Sequence, residues 1–393
     1  MNLLSNINMS GALIYLVAKG IQDTVLTSEE SETSFFRNKF TRSTNFSQAP
    51  KQFDLIGAVQ NSGTSTIIVS NYGDLISHVW LSSSSITLEK SLIFNLSGTI
   101  FDLYIGGQLV DSQTFDFMAD IWQIYLSENY SKANMQGNLI ISADYNFFPL
   151  HFFFCDNKMF LPLVSLQYHQ VEIRIRWGPN VENIIGIKAF GTYIFLDKLE
   201  RERFIQKPID LLITQVQRIT SPFSNASTTT IDLSLLNHPV KSIFFGYPQY
   251  FNSSEVPSDT EKYEWWNFLD ASLTLNGTFL FEKMPLNYFN TVNSYYNTEF
   301  SRVSVNNDIC GGTPYFTQYF IYNFCLSASS YKPTGTCNFS RLENSKLQLY
   351  NSVYHNTKPM LIKNPPLQNL ILYAVNYNVL RIKSGTAGIL FSN

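Results

Sequence analysis

Three carboxylates, Asp111, Asp116 and Asp120, form the densest acidic group beside a turn in this chain. A glycosidase would need two such groups flanking a sugar, one holding a proton and one ionised. The same residues also read as a turn residue, a helix N-cap and a first-turn acid favoured by the helix dipole. The five histidines, His78, His151, His169, His238 and His355, lack the short spacing of a zinc or cupin site. His169 and His238 are expected to satisfy strand ends or turns. Four cysteines, Cys155, Cys310, Cys325 and Cys337, include no CxxC pair; the two borne on strands read as small buried hydrophobes, with a disulfide or metal site as the alternative. There is no GxSxG elbow, no GxGxxG and no GxxxxGKS loop. The expectation is a chain with no catalytic residue, no cofactor and no metal. Trp265-Trp266 is the one pair suited to stacking on a sugar, so a jelly-roll carbohydrate-binding module stands as an alternative.

The elements that must carry these residues are mostly strands. Short β-branched or aromatic runs separated by turn residues begin at Phe53, among them STIIVSNYGD and FDLYIGGQLV, and argue for antiparallel sandwiches. Two helices are expected. One covers Phe117 to Leu126, capped by Asp116, with Phe117, Ile121, Ile124 and Tyr125 on one face, and would plug one end of a sandwich. The other runs from Asp197 to Gln206, is charged all round, and stops before Pro208.

The 393 residues suffice for two domains, and that second helix divides them nearly equally. Gly106-Gly107 and Asn276-Gly277, both two-residue hairpin signals, recur 170 residues apart, 277 less 107. The aromatic runs ending at Cys155 and Cys325 repeat at the same offset, 325 less 155 being 170. Each half closes on a long strand, Gly186 to Leu196 and Tyr377 to Phe391. The fold expected is all-β, a double jelly roll of two tandem eight-stranded antiparallel sandwiches with few short helices. Its parts are an N-terminal arm (1–25), a first roll (26–197), a linker (198–212) and a second roll (213–393).

Charged residues make up only 15% of the chain, aromatics also 15%, and the net charge is −3. So little charge leaves large surfaces to be covered by other protein, and without a basic cluster direct nucleic-acid binding is not expected. The apolar run Gly11 to Ala18 falls short of the ~20 residues of a membrane span. With no secretory signal and no paired cysteines, the chain reads as cytosolic and reduced. Sequons such as Asn95-Leu96-Ser97 then carry no weight.

Tyr322 to Lys346 reads as an aromatic strand, a turn at Lys332-Pro333-Thr334-Gly335, and a polar strand. Within it, Pro333, Gly335, Thr336, Cys337, Asn338, Phe339, Ser340 and Arg341, with Thr334 between the first two, spell P-T-G-T-C-N-F-S-R, which resembles a signature of the major capsid proteins of nucleocytoplasmic large DNA viruses. Eight collinear blocks carry the resemblance, including GALIYLVAKGIQDTVLT with FFRNKFTRSTNFS, IGGQLVD with DIW, LPLVSLQYHQVEIRIRW, YIFLDKLERERF, LNHPVKSIFF, LTLNG and the terminal AVNYNVLRIKSGTAGILFSN. The resemblance implies a double jelly roll whose homotrimers form pseudo-hexagonal capsomers. These would tile an icosahedral shell over an internal membrane, with neighbouring capsomers and minor capsid proteins as partners. It implies assembly in the host cell cytoplasm, residence in the virion, and an N-terminal arm beneath the capsomer that orders on assembly. The short chain predicts a low outer surface with Pro248 to Trp266 as its crown, and leaves a less abundant paralogous capsomer as an alternative. LPLVSLQYHQVEIRIRW and TCNFSR are expected to be buried strands.

Overall fold

The computed structural model describes residues 18, 20–26, 36, 40, 42–84, 90, 92–128, 146–155, 159–222, 227–246, 265–298, 319–351, 353–355 and 369–391. Among the described residues, sixteen of the strands fall into two sets of eight. The first set is β1 (Phe46–Phe53), β2 (Thr64–Val69), β3 (Leu75–Ser82), β4 (Ile100–Ile105), β5 (Gln108–Thr114), β6 (Phe147–Pro149), β7 (Val171–Arg176) and β8 (Lys188–Leu196). The second is β9 (Ile209–Ser221), β10 (Thr228–Asp232), β11 (Pro239–Gly246), β12 (Asp270–Leu275), β13 (Thr278–Pro285), β14 (Tyr319–Asn323), β15 (Lys346–Tyr350) and β16 (Leu370–Lys383).

Each set builds two facing sheets by the same rule. In the first half the orders are β1-β8-β3-β6 and β2-β7-β4-β5; in the second they are β9-β16-β11-β14 and β10-β15-β12-β13. Every pairing is antiparallel, and each strand of the second half repeats the place of the strand eight before it. This is the jelly-roll winding used twice.

Alternation sets the faces. In β7, Val171, Ile173 and Ile175 point into the core while Glu172, Arg174 and Arg176 point out. Both predicted hairpin tips form with two successive left-handed residues, Gly106 (φ 58°) and Gly107 (φ 80°), then Asn276 (φ 50°) and Gly277 (φ 77°). That geometry matches the twist of the flanking strands.

Several expectations need correction. The run His151–Cys155 is not a strand; the strand lies just before it at Phe147–Pro149, so the matching offset of the two cysteines does not mark equivalent strand ends. The terminal stretch is not one strand to Phe391. β16 ends at Lys383, turns through Ser384 (φ 53°) and Gly385 (φ 79°), and returns as Thr386–Ile389 paired on β16. Phe117–Leu126 is a helix, but of π type, and Asp116 does not cap it. Thr114 Oγ1 accepts the Phe117 N–H at 3.2 Å instead.

That helix sinks Phe117, Met118, Ile121 and Tyr125 into the core that fills the first roll and also reaches beyond that roll. Tyr125 Oη donates to the Tyr319 carbonyl at 2.6 Å, and the Phe117 ring lies 5.5 Å from that of Tyr373, so it packs across to the second roll. The Ile124 side chain lies outside the described residues. The connector Lys198–Gln206 is helical as expected, with the Asp197 carboxylate accepting the Lys198 N–H at 2.8 Å. It packs on the first roll through Ser165 Oγ, which donates to the Phe204 carbonyl, and through Arg201, whose guanidinium meets the Asp74 carboxylate at 2.7 Å.

Two apolar cores result. One belongs to the second roll and is rich in phenylalanine: the Phe245 ring lies within 6 Å of Phe268, Phe289 and Phe320. The other fills the first roll and runs on into Ile213, Phe244, Tyr319, Ile371 and Tyr373 of the second. The two sandwiches therefore share a buried seam.

Candidate assembly surfaces

The signature residues make a hinge point between the sheets of the second roll. Pro333 and Thr336 are exposed. Gly335 has φ +139°, and a Cβ there would sit 2.8 Å from the Phe324 carbonyl oxygen, so the close pass of the two segments requires glycine. Cys337 and Asn338 pair with Val240 and Pro239 of β11, leaving Cys337 half-buried with its thiol pushed up by burial. The Asn338 side chain caps the tight turn Phe339–Arg341 by accepting the Ser340 N–H at 3.1 Å. Ser340 Oγ in turn accepts the His238 N–H at 2.8 Å. Phe339 is buried against Phe324, their rings 5.8 Å apart. Arg341 is exposed and, among the described residues, has no carboxylate partner.

TCNFSR is thus a two-residue bridge and a turn, not the buried strand expected, because only Phe339 is buried, with Cys337 packed half-buried against the same core. LPLVSLQYHQVEIRIRW does supply buried strands, Leu161–Pro162 and β7. The two stretches are counterparts. Leu161–Pro162 pairs with Ile76 and Leu75 as Cys337–Asn338 pairs with Val240 and Pro239, and a tight turn follows each, Leu163–Ser165 and Phe339–Arg341. The offset here is 176 residues, 341 less 165, which the hairpin spacing did not reveal.

Two of the three carboxylates, Asp111 and Asp116, lie at the seam, and Asp120 lies beside Asp116. Asp111 is not a turn residue; it sits in β5, 3% exposed. Its Oδ1 accepts the N–H of Val216 in β9 at 2.9 Å, and its Oδ2 accepts from Gln113 Nε2 at 2.6 Å. Burial raises its pKa to about 7 against these hydrogen bonds. Burial also lifts Asp116 to about 6, with Arg218 of β9 pulling it back, and holds Asp120 well above the usual range, with Asp116 adding to the rise. Around them Gln215 Nε2 donates to the Val110 carbonyl, and Thr114 Oγ1 lies 2.7 Å from Tyr373 Oη. These groups fasten strand to strand rather than line a cleft.

His169 also joins the rolls, its Nδ1 accepting the Ala387 N–H at 3.1 Å. His238 occupies a left-handed turn position (φ 65°) beside the signature turn. His78 Nδ1 lies 2.7 Å from Ser77 Oγ, and His151 stacks on Trp122 at 3.6 Å. The His355 side chain, Cys310, the stretch 247–264 and most of residues 1–41 lie outside the described residues, as do the side chains of Trp265 and Trp266, whose backbone pairs with Tyr354 and His355. Cys325 and Cys337 are free thiols. Among the described residues no group of His, Cys, Asp and Glu could hold a metal ion.

The full-length pattern has close relatives. A chain named major capsid protein from Pyramimonas orientalis virus is 30% identical over 428 aligned positions, covering 98% of this chain and all of that one. The chain belongs to the major capsid proteins of large eukaryotic DNA viruses. Two family profiles meet at the connector: "Major capsid protein N-terminus" matches residues 34–197 and "Large eukaryotic DNA virus major capsid protein" matches 200–388. The capsid protein is also 30% identical to the major capsid protein of Paramecium bursaria Chlorella virus 1, over 98% of its own length and all of the relative's. A solved chain described as "PBCV-1 virus capsid, quasi-atomic model" superposes with TM-score 0.72 at 26% identity, over 92% of this capsid protein and all of that chain. The fold extends to the Faustovirus major capsid protein at TM-score 0.60 and 11% identity. As a capsid protein, it is a structural component of the virion.

Proposed function

We propose that this capsid protein forms homotrimers, pseudo-hexagonal capsomers that tile an icosahedral shell. One comparison within the chain carries the reading. Strand β5 and strand β13 hold the same place at the edge of their sheets. The inner half of β5 is buried, where β9 of the second roll covers it through Asp111 and Val110. β13 is exposed along nearly its whole length, and presents Phe279 and Leu280, each 49% exposed. An edge strand with apolar side chains is a surface that a protein must cover or charge.

Repeating the step from first roll to second sets the β1 and β8 edge of a second copy's first roll against β13. The β1 strand is itself largely exposed, with Phe46 at its head. Three copies supply six rolls, and a head-to-tail contact of this kind ends in a closed ring when its rotation divides the circle. The units repeated are the first roll (26–197) and the second (213–393), joined through 198–212, with residues 1–25 as an arm that orders beneath the ring. Neighbouring capsomers and minor capsid proteins would then meet the ring's outer faces above an internal membrane, in shells assembled in the host cell cytoplasm, with no direct contact to the genome.

Size-exclusion chromatography with light scattering on the full chain tests this. A species at three times 45.0 kDa, imaged as a pseudo-hexagon, is the expected result. A chain that stays monomeric at micromolar concentration would sink it.

A further inference from the structure

The joint between the rolls has a second part, at the loop end. The final hairpin of the second roll, Lys383 to Ile389, seats on the first roll's loop Gln167–His169 and the tip Gly106–Gln108. The Tyr168 N–H donates to the Gly385 carbonyl at 3.0 Å, the Ala387 N–H to His169 Nδ1 at 3.1 Å, and the Ile389 N–H to Gln108 Oε1 at 3.2 Å. By the 176-residue offset, the counterparts of the seat residues Gln167 and Tyr168 are Glu343 and Asn344, the counterpart of the tip is Asn276-Gly277, and Arg341, the counterpart of Ser165, lies beside them. Those residues line an open polar cavity of about 260 Å³, formed by Asn276, Arg341, Glu343 and Asn344. The Glu343 N–H donates to Asn276 Oδ1 at 2.6 Å, which fixes the loop on the tip.

Within the chain, the segment that fills the first roll's seat is the one leaving the end of β16. The strand in β16's place in the first roll is β8, and the segment leaving its end is Asp197 followed by the helix Lys198–Gln206. We propose that the cavity of the second roll is a seat for a second copy of this chain, whose β8–helix corner enters it with Asp197 facing Arg341 and the basic Lys198 and Arg203 near Glu343. All five of these charged residues are exposed, and each side carries both signs, so that opposite charges can be brought together. Leu199, 69% exposed beside them, supplies apolar contact that the corner does not bury at home. The seat thereby gives the signature Arg341 a role beyond the turn that it closes: an exposed charge that selects the next subunit.

This inference rests on the head-to-tail ring proposed above, and its test separates the two. In the full chain, Leu199→Cys combined with Asn344→Cys, oxidised under mild conditions, should give covalent dimers and trimers on a non-reducing gel that neither single variant gives. Arg341→Glu should raise the concentration at which trimers dissociate by roughly tenfold or more, and Asp197→Arg in the same chain should recover most of that loss. Trimers of the parent that neither cross-link in the double variant nor respond to Arg341→Glu would overturn the seat and leave the ring standing. A monomeric parent would overturn both.

Discussion

The Asp111 carboxylate of the first roll accepts the backbone N–H of Val216 in the second at 2.9 Å, with 3% of Asp111 exposed. Strand-to-strand capping by a buried acid ties the two sandwiches together where no strand pairing joins them. It also makes their seam sensitive to protons.

Asp111 keeps its proton in the fold to about pH 7, against an ordinary value of 3.8. Its folded pKa is raised, so its contribution is fully present below the unfolded value and is lost as pH rises through the folded one. Asp116 and Asp120 act in the same direction. The Asp111→Asn variant keeps an oxygen for Val216, and Gln113 Oε1, buried without a hydrogen-bond partner, is placed to accept from the new amide after a flip. Its stability relative to the parent should improve by roughly 2 kcal/mol between pH 5 and pH 8. Denaturant midpoints across that range would show it; parallel pH curves for the two chains would count against a protonated Asp111.

Gly335 and Gly277 both have positive φ, yet their surroundings differ. A Cβ at Gly335 meets the Phe324 carbonyl oxygen at 2.8 Å, whereas a Cβ at Gly277 meets nothing within 4 Å. Gly277→Ala should cost about 1 kcal/mol, the left-handed penalty alone, and Gly335→Ala roughly 2–4 kcal/mol because backbone must also move. Thermal melts of the two variants rank them, and equal losses would contradict the close pass.

Phe245 is fully buried among Phe268, Phe289 and Phe320, so Phe245→Ala should destabilise the second roll by about 3–5 kcal/mol. Native-state hydrogen exchange should show the loss first in β11 and β14, which flank this core. Uniform loss across both rolls would mean that the seam unites them into a single cooperative unit.

Phe279 and Leu280 are half-exposed on β13 and pack in neither core. Phe279→Asp with Leu280→Asp should leave the melting temperature of the isolated chain within a few degrees of the parent's, since exposed positions cost at most about 0.5 kcal/mol each. Trimer formation should fall by two orders of magnitude or more through the cost of burying unpaired charge. Light scattering reads the outcome, and an unchanged trimer would place the subunit contact elsewhere.

Local chemistry wrote much of this fold into the sequence. The turn pairs Gly106-Gly107 and Asn276-Gly277 and the helix that begins at Asp197 each depend on neighbours a few residues away, and each stands where expected. The collinear blocks likewise carried the family. Tertiary structure alone decided what those residues meet. Asp111 and Asp116 read locally as a turn residue and a cap, but burial against β9 made them seam residues, because Val216 and Arg218 lie more than a hundred positions away. The 176-residue equivalence of Ser165 and Arg341 was hidden because loops of unequal length separate it from the hairpin repeat at 170. Whether an edge strand is covered, as β5 is, or open, as β13 is, depends on which roll lies beside it; sequence sets the pleat, and packing sets its neighbour.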